Sequence, residues 1–194
     1  MTDLFKPKYL LFLCAALLLF PSCAGEKAQV VPKTPVPAPA SSRAASQAQK
    51  QVEAGHYQKA IEIYSDEHRK NPQDRSLARE YAKSLESIKS AGDQRFEKGE
   101  LAAACRMYHA LHINYAKFRG MEQTLSFDHR DLDEKLTYCK KTLSKQGFEE
   151  YRKGNLSQAI RCWQGLLAID PNNKAIKDAV RTARQQQKNL QDDH

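Results

Sequence analysis

The chain has 194 residues, of which 28% are charged and 41% hydrophobic, and a formal charge of +8. That length allows one domain with appendages and excludes an assembly of several large ones. A basic balance is compatible with nucleic acid, anionic lipid head groups, envelope polymers, an acidic partner or a plain solvated surface. The N-terminus argues against nucleic acid. Only 8 glycines and 8 prolines are present, as befits a helical chain, and Pro32, Pro35, Pro37 and Pro39 account for half the prolines.

Lys6 and Lys8 precede the apolar run Tyr9–Phe20, and the small residues Ser22 and Ala24 flank Cys23. Charged start, apolar core and small-residue cleavage zone are the parts of a secretory signal peptide over residues 1–22. The core, at about a dozen residues, is short for a spanning helix, which needs ~20. Apolar run, small residue and cysteine in that order resemble the lipobox of bacterial lipoproteins. Phe20 and Pro21 depart from the favoured Leu and small residue there. The resemblance implies a covalent diacylglycerol and acyl lipid on Cys23. It also implies, because Ala24 is not the aspartate that retains lipoproteins in the inner membrane, an outer-membrane protein facing the periplasm. Ser22-Cys23-Ala24 also fits ordinary signal peptidase, whose product would be a soluble periplasmic or secreted protein.

Residues 23–47 then form a Pro/Ala-rich stretch with almost nothing to bury. Its prolines favour extended polyproline geometry, in which about twenty residues reach ~60 Å. The expectation is a tether that holds the following domain, residues 48–190, off a membrane; a disordered processing remnant is the other reading.

Three segments of that domain share one pattern. With Gly55, Gly99 and Gly154 as markers, an apolar residue stands three before (Val52, Phe96, Tyr151) and a small one seven before (Ala48, Gly92, Gly147). An alanine stands five after (Ala60, Ala104, Ala159) and an aromatic nine after (Tyr64, Tyr108, Trp163). Pro72 and Pro171 stand seventeen after, where the middle copy has Ala116. Each copy reads as two helices about a glycine turn, with alanine permitting close approach, the aromatic filling the centre and proline ending the second helix. These residues, most closely over 147–173, resemble the tetratricopeptide repeat family. The resemblance implies an all-α fold of three helical hairpins stacked as a short right-handed solenoid. The markers are 44 and 55 residues apart, against ~34 in the family, so the joining helices are long and the superhelix less regular.

The first joining helix starts at Asp74 and carries Leu77, Tyr81, Leu85 and Ile88 at helical spacing. The second starts at Asp128 and carries Leu132, Leu136, Cys139, Leu143 and Tyr151. Between them Phe118, Met121, Leu125 and Phe127 lie in an irregular stretch that either folds back on the core or forms a contact surface. After Pro171, the stripe Ala175, Ile176, Ala179, Val180 and Ala183 reads as a capping helix that closes the apolar end. Residues 191–194 form a polar tail.

Catalytic patterns are missing. There is no Gly-rich phosphate loop and no His-Glu-x-x-His or Ser-x-x-Lys motif. Glu149-Glu150 and Asp192-Asp193 are adjacent in sequence and so diverge on a helix, unlike a working acid–base pair. His109 and His112 share a helix face but lack a third ligand, so no metal is expected. Cys105, Cys139 and Cys162 read as buried free thiols; a Cys139–Cys162 bridge would need a long reach along the hairpin. The expectation is a non-enzyme without cofactor.

In the resembled family the first helices line a groove for peptides or partner helices. That implies the exposed residues Lys89, Asp93, Phe96, Lys141, Phe148, Tyr151 and Arg152 as the partner-binding set, with Phe96 and Tyr151 also candidates for the core. Phe148 stands beside Gly147, off the stripe of Leu143, Gly147 and Tyr151, so it faces solvent or a neighbouring helix. The functional expectation is a lipid-anchored adaptor that recruits protein partners to a pilus or secretin, barrel-assembly or cell-wall machine. Binding of peptidoglycan or exopolysaccharide by a basic groove is the alternative.

Overall fold

The computed structural model describes residues 40–192 of the chain. The signal peptide, Cys23 and the proline-rich part of the tether lie outside them, as do the last two residues of the polar tail. Seven α-helices and two 3-10 turns make up the described region, and no strand occurs among those residues. The fold is all-α.

The helices are α1 (Ala40–Glu53), α2 (Tyr57–Lys70), α3 (Arg75–Glu97), α4 (Leu101–Ile113), α5 (His129–Arg152), α6 (Leu156–Leu167) and α7 (Lys174–Asp192). Helix α1 begins eight residues before the boundary read from the sequence. Ala45 and Ala48 are both buried in the core, and the Tyr64 hydroxyl donates to the Ala45 carbonyl at 3.4 Å. The low apolar content of 40–47 concealed the start of a helix that docks through Ala45, Ala48 and Val52. At the other end α7 runs through to Asp192, so the tail's first two residues are helical.

One turn is used three times. Gly55, Gly99 and Gly154 have φ of 76°, 73° and 79°, the left-handed region that a side chain disfavours. Each glycine N–H donates to the carbonyl three residues back, on Val52, Phe96 and Tyr151, at 2.9–3.0 Å. The next N–H, on His56, Glu100 and Asn155, donates to the carbonyl five back at 2.8–2.9 Å. That double bond pattern is the Schellman ending, which satisfies the last carbonyls of the first helix and reverses the chain.

Above each turn the two helices close on a small residue and an aromatic. A Cβ on Gly92 would lie 2.9 Å from the Tyr108 ring, and one on Gly147 would lie 2.2 Å from Trp163 Nε1. Tyr108 and Trp163 are almost fully buried as a result. Helix α1 packs on α2 and α3, α2 on α3 and α4, α4 on α5 and α6, and α6 on α5 and α7. Gly165 lets α6 cross α4, since a Cβ there would meet Ala102 Cβ at 2.7 Å.

The two long helices start on side-chain caps. Asp74 accepts from the Ser76 and Leu77 N–H groups at 3.0 Å, and Asp128 accepts from Asp131 N–H at 2.8 Å. Between α4 and α5 the irregular segment folds back. Phe118, Met121 and Phe127 are buried, and Leu125 is half-buried against the core. Phe118 meets Tyr81 edge to face at 6.2 Å, and the Ser126 hydroxyl donates to Glu86 of α3 at 2.6 Å. A contact surface built from Phe118, Met121 and Phe127 is thereby ruled out, because their apolar area is already spent on the core.

Candidate interaction surface

Helices α3 and α5 face each other across a strip filled by side chains, and there three of the expected residues meet. Lys89 is not exposed: it is only 8% accessible. Its Nζ donates to Asp93 Oδ2 at 2.8 Å and pairs with Asp131 Oδ2 of α5 at 3.3 Å. Asp93 Oδ1 accepts from the Tyr108 hydroxyl of α4 at 2.7 Å and pairs with Lys135 Nζ of α5 at 3.0 Å. Lys135 also lies over the rings of Phe96 and Tyr108, 5.3 and 5.7 Å from their centres. Phe96 closes the strip against Tyr138 of α5, with ring centres 5.3 Å apart.

This network shapes its own titration. Burial alone would raise the Asp93 pKa, but the hydrogen bonds from Lys89, Tyr108 and Lys135 outweigh it and hold the carboxyl below its usual range. For Lys89, burial works against the ammonium, and the contacts with Asp93 and Asp131 more than offset it, so its pKa rises. The Tyr108 phenol is pushed far up by burial and by donating to Asp93. Charge-assisted bonds of this kind favour one arrangement of three helices. Lys89, Asp93 and Phe96 therefore tie α3, α4 and α5 together, and Lys89 is buried against two carboxylates of the fold. At α3 the helix periodicity was read correctly, but the salt bridges to Asp131 and Lys135 arrive from residues some forty positions away.

The outward face of α5 is a different matter. Tyr138, Lys141, Lys145, Phe148 and Arg152 follow one another at alternating steps of three and four, and all five are exposed. Five side chains so spaced share one line along ~21 Å of helix. Tyr138 and Phe148 are among the few large hydrophobic residues left outside, at 55% and 45% exposure. Phe148 rests one edge on Trp163, with ring centres 5.1 Å apart and planes 65° apart. Trp163 thereby fixes the ring's direction while leaving its outer half in water. Lys145 has Glu149 at 3.7 Å as its only ion-pair partner among the described residues. Tyr151 turns inward to Trp163, ring centres 5.8 Å apart, and borders with Arg152, Leu156 and Leu190 an open hollow of about 560 Å³ where α5 and α7 end and α6 begins.

Tyr138 was missed in the sequence, although the reasoning that singled out Phe148 applies to it equally. Leu132, Leu136, Cys139 and Leu143 already account for the core side of α5, which leaves Tyr138 outside.

The thiols are buried and free. Cys139 faces Cys105 across the α4–α5 contact rather than Cys162; donating to Cys139, together with burial, pushes the Cys105 thiol well up, and accepting that bond lowers Cys139. His109 and His112 are half-buried. Burial lowers both pKa values, aided by Lys140 at His109 and by His129 at His112; the His112 and His129 rings are 4.4 Å apart. Among the described residues no cluster of His, Cys, Asp or Glu is arranged to hold a metal, and no helix there is long and apolar enough to cross a membrane.

No protein-family model matches the chain, and no curated protein matches it.

Proposed function

We propose that the protein is a lipid-anchored adaptor of the bacterial envelope, a modified tetratricopeptide-repeat array held off the outer membrane at Cys23. It recruits a protein partner of an envelope machine through the outer face of α5. The array reading is supported by the threefold Schellman turn, by the aromatics set against small residues, and by the stacking of α1 on α3, α2 on α4 and α4 on α6. Short solenoids of this kind bind through extended surfaces made by successive helices.

The observation that carries the binding role is the α5 line itself: two exposed aromatics ~15 Å apart along the helix, with Lys141 and Lys145 between them and Arg152 beyond. Aromatic anchors ringed by cations suit a peptide that offers apolar side chains and carboxylates. The test is site-specific crosslinking from Tyr138 and Phe148 in cells, with Phe148→Ala/Arg152→Glu as control. A discrete protein adduct lost in the double variant supports the adaptor. Cosedimentation of the purified protein with cell-wall polymer, abolished by the same variant and without a protein adduct, replaces the adaptor with polymer binding. Membrane attachment is checked separately: Cys23→Ser is expected to move the protein from the membrane to the soluble fraction. A wild-type protein already soluble would overturn the anchor.

A further inference from the structure

Helix α7 carries a second surface, unrelated to the α5 line. Lys174, Lys177, Arg181, Arg184 and Lys188 repeat at steps of three and four along its whole length, and all five are exposed. On a helix these positions fall within ~80° of one another and span ~21 Å. Ile176, Val180 and Ala183, about 110° round the helix, are buried, so the stripe flanks the side that packs on the core.

Three features describe it. Of its five cations only Arg181 is ion-paired, with Asp178 at 2.9 Å; no described carboxylate lies within ion-pair distance of the other four. Next, Lys174 and Lys177 occupy the first turn, where the positive end of the helix dipole disfavours them, and no acidic residue stands there to offset it. Finally, the stripe borders a groove of about 450 Å³ whose floor includes Leu167 of α6 and Val180 of α7, with Lys177, Arg181, Arg184 and Lys188 along its wall.

We propose that this groove docks an acidic amphipathic helix of a protein partner. Cations at alternating rises of ~4.5 and ~6 Å match carboxylates placed at i, i+3 and i+4 of a second helix laid alongside. An extended peptide presents same-side residues every ~6.6 Å and loses register over that length. The apolar floor takes the partner's hydrophobic edge, a feature that a flat anionic membrane or a fully solvated polyanion has no use for.

The probe is a fluorescent, helix-stabilised 21-residue peptide with glutamates at three- and four-residue steps and a neighbouring leucine stripe. It is titrated against the full-length protein by anisotropy, beside a composition-matched scrambled peptide, inorganic polyphosphate and vesicles rich in anionic lipid. The expected result is saturable binding of the patterned peptide, at least tenfold tighter than the scrambled one. It weakens at least tenfold in Lys177→Glu/Arg184→Glu and is unchanged in Phe148→Ala/Arg152→Glu. Circular dichroism confirms that both variants stay folded. Val180→Thr, which alters the floor and spares the charges, should weaken the patterned peptide alone. Equal binding of both peptides, tighter binding of polyphosphate or vesicles, insensitivity to the α7 reversal, or no binding of any probe overturns the proposal. Because the α5 variant serves as the unaffected control, failure here leaves the α5 adaptor surface standing, and the reverse also holds.

Discussion

At Gly147 a methyl group would lie 2.2 Å from Trp163 Nε1 and 2.5 Å from Cδ1, so the buried indole or the helix itself would have to shift. Alanine normally stabilises a helix interior by about 1 kcal/mol over glycine. Here overpacking, costing about 1–3 kcal/mol, is expected to reverse the sign. Urea denaturation of Gly147→Ala should show a net loss of stability, with Gly147→Ala/Trp163→Leu recovering part of it; a more stable Gly147→Ala would contradict the close crossing. Gly154 has nothing within 4 Å of its Cβ direction, so its requirement is conformational, from φ alone. The sequence pattern marked both glycines and put them to the right uses. Tyr138 follows the same rule as Phe148, since the stripe of Leu132, Leu136, Cys139 and Leu143 fills the core side of α5 and leaves both rings outside.

Among elements, α3 and α5 depend on their ends and on the strip between them. Losing the Asp74 cap in Asp74→Ala should cost about 1 kcal/mol, read as an earlier thermal midpoint. The Lys89–Asp93–Lys135 network predicts a pH dependence with two limbs. Asp93, held below its unfolded pKa, contributes stability above about pH 4 that is lost as pH falls through its folded value. Lys89, raised above its unfolded pKa, contributes below about pH 10.4 and loses that contribution as pH climbs through its folded value. Asp93→Asn should lower stability at neutral pH and flatten the acid limb below about pH 4 in denaturant melts; an unchanged acid limb would show that the network carries no net coupling. The long joining helices were legible from Leu77, Tyr81, Leu85 and Ile88 in one and Leu132, Leu136 and Leu143 in the other. The start of α1 was not, because helices with few apolar residues form only where another element covers them.

For the whole molecule, the order of packing runs from α1 to α7, and α7 ends it. Ile176, Val180 and Ala183 are buried on the preceding structure, while its outer side is basic and polar. Removing residues 174–194 should expose the apolar side of α6 around Leu166, lower the thermal midpoint and cause self-association, seen by light scattering. A truncated chain that stays monomeric with an unchanged midpoint would contradict the capping role. The histidines add an acid-side term: with folded pKa values lowered by burial at His109 and His112, stability should fall as pH drops below about 6.5, where the unfolded chain binds protons more readily.

By itself the sequence determined the helices, their glycine turns and the pairing of small residues with aromatics. Each of these is set by backbone geometry or by contacts within one hairpin, at offsets that repeat. The tertiary structure alone decided that Lys89 is buried, that Phe118, Met121 and Phe127 belong to the core, and that Cys139 meets Cys105. Those outcomes depend on which helix crosses which, and the partners stand tens of residues apart with no periodicity to announce them. Exposure is the same kind of quantity. The lines Tyr138–Arg152 and Lys174–Lys188 can be written down from spacing, but only packing on the other side of α5 and α7 leaves them facing water.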